Sequence, residues 1–136
     1  MKRILLAASL LLPLCACQLP PERTPLPRLP ENGPPLPYAE LLTRARAQAT
    51  IATEAFYVNR WDDLEDAAKG LEQTARFLAK AEDVPAKQKD VLPVISGDLG
   101  KDAGKLREAA AAKNVKGATD ALQRIHLKIR ELRLDQ

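Results

Sequence analysis

Residues 60–80 read RWDDLEDAAKGLEQTARFLAK. Trp61, Leu64, Ala68, Leu71, Ala75 and Leu78 alternate by three and four without a break. That a/d spacing gathers apolar side chains into one seam of an α-helix. Asp62, Asp63, Glu65 and Asp66 crowd the first turns, and Arg76 and Lys80 the last, both placements that suit the helix macrodipole. The acidic group admits a cation-site reading, but no glycine turn or ligand-spaced loop accompanies it. A solvated, dipole-stabilised helix start accounts for it.

A second unbroken seam runs through Val115, Ala118, Leu122, Ile125, Ile129 and Leu132, with Asn114 placed to cap its helix. Upstream, Leu41, Ala45, Ala49, Ala52 and Phe56 keep one stripe from about Pro37 to Val58, with Glu40 and Arg44 as an i,i+4 pair on the other side. Asn59 reads as the turn and N-cap that follow. Between the seams a looser helix begins near Pro85, carrying Val91, Ile95, Leu99, Ala103 (or Asp102), Leu106 and Ala110. Pro93 should kink it or reset its start. Gly97, Gly100 and Gly104 share one of its faces, fitted either to close helix–helix approach or to a groove for a flat ligand. The expected fold is all-α: residues 38–136 as one antiparallel, up-down-up-down four-helix bundle with helices crossing at about 20°. Alanine-heavy seams imply close-packed helices with little internal space.

Residues 17–37 form a separate region. Eight of the chain's eleven prolines lie between Gln18 and Pro37. Proline fixes φ and lacks an N–H, so neither helix nor ladder runs through here. An extended, solvated polyproline-II spacer is expected, reaching on the order of 60 Å. Pro27-Arg28-Leu29-Pro30 also has the outline of a ligand for proline-recognising domains.

Ahead of it, Lys2 and Arg3 precede the apolar stretch Ile4 to Leu14. A membrane span needs about 20 apolar residues, so residues 1–16 read as a signal peptide. Leu14-Cys15-Ala16-Cys17 resembles a bacterial lipobox. The resemblance implies cleavage before Cys17 and attachment of diacylglycerol and palmitate there, making the membrane a partner through a lipid anchor. Leu14 directly before Cys15 is too bulky for the alternative cut. Gln18 in place of aspartate implies the outer membrane, facing the periplasm. Both cysteines lie in this segment, so the folded region has no disulfide framework or thiolate metal site.

Trp61-Asp62-Asp63 opening the second helix, the loose third helix and the break Ala112-Lys113-Asn114-Val115-Lys116 make the bundle resemble the cytochrome c-prime type proteins of bacterial periplasms. Those carry haem on Cys-x-x-Cys-His in the last helix. Here Ile129-Arg130-Glu131-Leu132-Arg133 stands at that place, and Leu122-Gln123-Arg124-Ile125-His126 one heptad earlier, both without cysteines. Relatives that hold haem without a covalent link pair a histidine in the last helix with a methionine in the first, and the single methionine here is Met1. The expectation is a haem-less bundle with no cofactor. His126 remains the candidate for a lone axial ligand against a plain place at the edge of the core.

No nucleophile accompanies His126 in sequence, and one histidine does not build a zinc site without converging carboxylates. No catalytic set and no metal site is expected. The chain holds 21 basic and 18 acidic residues; without Lys2 and Arg3 the balance is 19 to 18, against a nucleic-acid binder. Arg124, Lys128, Arg130 and Arg133 crowd the last turns, by dipole preference or toward an anionic partner. The leading expectation is a non-enzymatic envelope lipoprotein that binds a protein partner or serves as a structural module. The alternative is a carrier of a haem-like molecule in the bundle core.

Overall fold

The two strict seams and the looser stripes between and before them each become a helix. The computed structural model describes residues 26–133; the signal peptide, Cys17 and the start of the proline-rich region lie outside the described residues. Among these there are five helices and no strand: α1 (Tyr38–Tyr57), α2 (Trp61–Leu78), the single turn α3 (Ala86–Lys89), α4 (Leu92–Ala111) and α5 (Val115–Glu131). They form a helical bundle. α2 packs chiefly on α4 and α1, α4 also on α5, and a smaller contact joins α1 to α5.

The core follows the a/d periodicity. Leu64, Ala68, Leu71, Ala75 and Leu78 of α2 are buried, as are Ala118, Leu122, Ile125 and Ile129 of α5, with Leu132 just beyond it. Val115, expected in that seam, is 58% exposed. It is the first residue of its helix, where no facing turn covers it. Phe56 and Trp61 meet edge to face at 5.9 Å but are only partly buried. α1 buries a wider face than its stripe indicated: Tyr38, Leu42, Gln48 and Ala55 join Leu41, Ala45, Ala49 and Ala52.

Pro93 resets the third long helix rather than kinking it. The helical turn after Pro85 stops at Lys89, and α4 begins at Leu92 with Pro93 in its first turn, where a missing N–H breaks no helical bond. Val91 is left outside the core, 42% exposed.

Asn59 is a turn residue but not a cap. It adopts φ 57°, and its N–H and that of Arg60 donate to the Phe56 and Ala55 carbonyls at 3.1 and 2.9 Å. This closes α1 in a Schellman motif and leaves Arg60 as the residue before α2. α4 ends the same way: Lys113 has φ 51°, and Lys113 and Asn114 donate to Ala110 and Ala109 at 3.0 and 2.8 Å. Asn114 also caps α5, its side chain accepting from Gly117 N–H at 3.0 Å.

Polar pairs join neighbouring helices. Thr74 Oγ1 donates to Gln48 Oε1 at 2.7 Å between α2 and α1, and Arg107 to Glu72 at 2.9 Å between α4 and α2. Arg124 donates to Asp102 at 2.7 Å between α5 and α4. The Tyr38 hydroxyl donates to the Leu132 carbonyl, tying the start of α1 to the end of α5; burial pushes that phenol's pKa up.

Candidate interaction surface

The proline-rich region behaves differently from a free spacer. From Leu26 to Pro37 it has no regular structure apart from a turn at 31–32 and one isolated bridge at Pro37, as proline demands, yet it lies against the helices instead of standing in solvent. Leu29 and Leu36 pack on the core cluster. The backbone of Leu29 is clasped by one side-chain amide: its N–H donates to Gln73 Oε1 at 2.9 Å, and Gln73 Nε2 donates to its carbonyl at 2.8 Å. Gln73 is only 3% exposed. The docked segment thus supplies the partners that a buried amide needs.

Further contacts extend the clasp in both directions. Gln73 Nε2 and Arg76 donate to Glu31 Oε1 at 2.9 and 3.0 Å. The Gln73 hydrogen bond, opposed by desolvation and supported by the nearby Arg76, holds the Glu31 carboxyl below its ordinary pKa. Arg28 lies 3.8 Å from Asp66, and Arg44 donates to the Pro27 carbonyl. At the other end the Glu82 N–H donates to Leu36 at 3.1 Å, and Tyr38 N–H to Glu82 at 2.9 Å. Composition marked this stretch as unable to form helix or sheet. Apolar Leu29 and Leu36 among the prolines were the available sign of docking. The partner Gln73 was not legible, because it lies 44 residues away.

The other candidates fall apart spatially. His126 lies on the exposed side of α5, its Nε2 at 2.9 Å from Thr53 Oγ1. Thr53 spends its single hydroxyl proton on the Ala49 carbonyl at 2.8 Å, so this contact requires the proton on Nε2. That nitrogen is therefore a donor on the surface, not a lone pair aimed between helices. The acidic start of α2 is charge-paired: Asp63 with Arg60 at 3.1 Å, Glu65 and Asp66 with Lys69 at 2.7 and 3.5 Å. The contact with Lys69 lowers the Glu65 pKa and raises that of Lys69.

Two of the basic residues toward the end of α5 likewise meet acidic partners. Arg124 meets Asp102, and Lys128 lies 3.8 and 3.7 Å from Asp98 and Glu131. Of the three glycines of α4, Gly100 and Gly104 face Ala75 and Glu72 of α2, close approach rather than a groove, and Gly97 faces open space. Among the described residues, no group of three or more His, Cys, Asp or Glu is arranged to hold a metal ion, and no helix is long and apolar enough to cross a membrane. The lipidation candidate Cys17 lies outside the described residues. In comparisons with known proteins, the chain matches no family model, no curated protein and no solved structure.

Proposed function

We propose that this chain is a lipid-anchored envelope protein, non-enzymatic, whose helical domain serves as a binding or structural module at the outer membrane facing the periplasm. The observation that carries this reading is the run Leu14-Cys15-Ala16-Cys17, which ends an apolar stretch too short to span a bilayer and leads directly into the proline-rich region. The domain is read as an antiparallel, up-down-up-down four-helix bundle. The contact of each long helix with the next, with short turns joining α1 to α2 and α4 to α5, and the contact of α1 with α5 support that topology. The bundle is read as a haem-less counterpart of the cytochrome c-prime shape. A haem-carrier role draws no support from His126, which is exposed and donates from Nε2 to Thr53.

Intact mass measurement of the membrane-extracted protein tests the anchor. A chain beginning at Cys17 and bearing acyl and diacylglycerol mass is expected. Cys17→Ser should abolish the added mass and release the domain from the membrane fraction, whereas Cys15→Ser should change neither. An unacylated, uncleaved start would overturn the reading.

A further inference from the structure

Pro27-Arg28-Leu29-Pro30 has the outline of a ligand for a proline-recognising site, and the surface that receives it is the chain's own bundle. Four features fix the fit. Leu26 shares one depression with Ala39, Thr43 and Ala47 of α1 and another with Ile51 of α1 and Ala67 of α2. Arg28 stands 3.8 Å from Asp66. Glu31 accepts from Arg76 at 3.0 Å. Between these charges Gln73 holds both backbone groups of Leu29. The surface thus reads an extended backbone with apolar residues at 26 and 29, a cation at 28 and an anion at 31. The prolines between them bring no N–H that would need a partner.

The segment is held in two separate places. One hold covers Leu26 to Glu31. The other is at Glu82, whose N–H donates to Leu36 and whose carbonyl accepts from Tyr38 at 3.1 and 2.9 Å. Between them Asn32, Pro34 and Pro35 are exposed. Among the described residues, the one hydrogen bond of this stretch runs from Gly33 N–H to the Pro30 carbonyl at 3.0 Å and stays within the segment. Gly33 and Pro35 bridge a depression shared with Phe77 and Lys80. Residues 26–31 can therefore leave α2 without disturbing the start of α1. Opening the turn breaks that single bond, and Pro34-Pro35 then carries the chain onward in the extended form proline prefers. The same segment of another copy matches the opened surface at every contact.

We propose that the α1–α2 surface around Gln73 is a recognition site for residues 26–31 of a second copy, exchanged across a hinge at 32–35 with the segment docked in cis. A segment tethered beside its own groove acts at an effective concentration on the order of millimolar. Dilute wild type therefore closes on itself, and exchange belongs to crowded copies. The inference goes beyond the envelope reading and does not depend on acylation.

The test uses full-length protein in detergent micelles. The acceptor, Leu29→Asp with Glu31→Arg, keeps its groove and spoils its own segment. The donor, Gln73→Ala, keeps its segment and spoils its groove. The Gln73 side-chain amide resonance of isotope-labelled acceptor should shift when unlabelled donor is added up to about 1 mM, and stay in place when unlabelled acceptor is added instead. No shift with donor, or an equal shift with acceptor, overturns the proposal. A shift with a synthetic peptide of residues 26–33 but none with donor assigns the site to another protein's peptide and overturns exchange between copies. If the acceptor lacks the dispersed amide spectrum of a folded bundle, labelled wild type with excess peptide decides. Its Leu29 N–H resonance should move to the position it has in labelled Gln73→Ala, and an unmoved resonance overturns the proposal.

Discussion

A methyl group added at Gly70 would sit 2.7 Å from the Gln48 amide nitrogen, whereas one added at Gly97 would meet nothing within 4 Å. Both positions lie inside helices, where alanine is favoured over glycine by about 1 kcal/mol. Gly97→Ala should therefore raise the chemical-denaturation midpoint. Gly70→Ala should lower it, because Gln48 is buried and held by Thr74 and has little room to move. Sequence spacing alone assigns no difference between these glycines; only the neighbour across the interface separates them. Asp102 poses a similar question. Its side chain is 8% exposed and its partner Arg124 is 42% exposed. Arg124→Ala strands a nearly buried carboxylate and should cost about 2–3 kcal/mol in denaturation measurements, tempered by solvent reaching the arginine side.

The elements were legible wherever hydrophobic period and local chemistry agreed. α2 and α5 follow from uninterrupted seams, and Asn114 caps α5 because its short side chain reaches a free N–H of the first turn. Asn59 shows where the same residue type misleads. Asparagine suits both a cap and a left-handed turn, and the hydrogen bonds closing α1 selected the turn. Lys113 is less suited to its left-handed φ of 51°, since an L-residue with a Cβ is strained by about 1–2 kcal/mol there. Lys113→Gly should therefore stabilise the domain by roughly 1 kcal/mol, read as a higher midpoint in thermal unfolding. The start of α4 was open between a kink and a reset; Pro93 fits the first turn without breaking a bond, and the reset follows.

For the whole molecule, the proline-rich region decides the arrangement. If Gln73 clasps Leu29, trypsin should cut Arg28–Leu29 slowly in the native protein, and Gln73→Ala should speed that cut by about tenfold, the loss of one to two net hydrogen bonds. Glu31 adds a pH dependence. Its carboxyl is held below the ordinary value of 4.5 when docked, so its contribution to docking is complete above that value and is lost as pH falls through the lower docked value. Amide-exchange protection of Leu29 should decline on acidification below pH 4.5, and Glu31→Gln should blunt that decline.

The helical type and approximate extents of the four long helices and the proline-rich break were legible in the chain's own order of residues, because period, proline geometry and capping act over a few neighbours, while the separate turn α3 was not. Whether the spacer stands free, where His126 faces, which glycines are crowded and which charges are paired were decided only by tertiary structure. Each depends on residues that approach across the bundle from distant positions, and no local regularity records which atoms those will be.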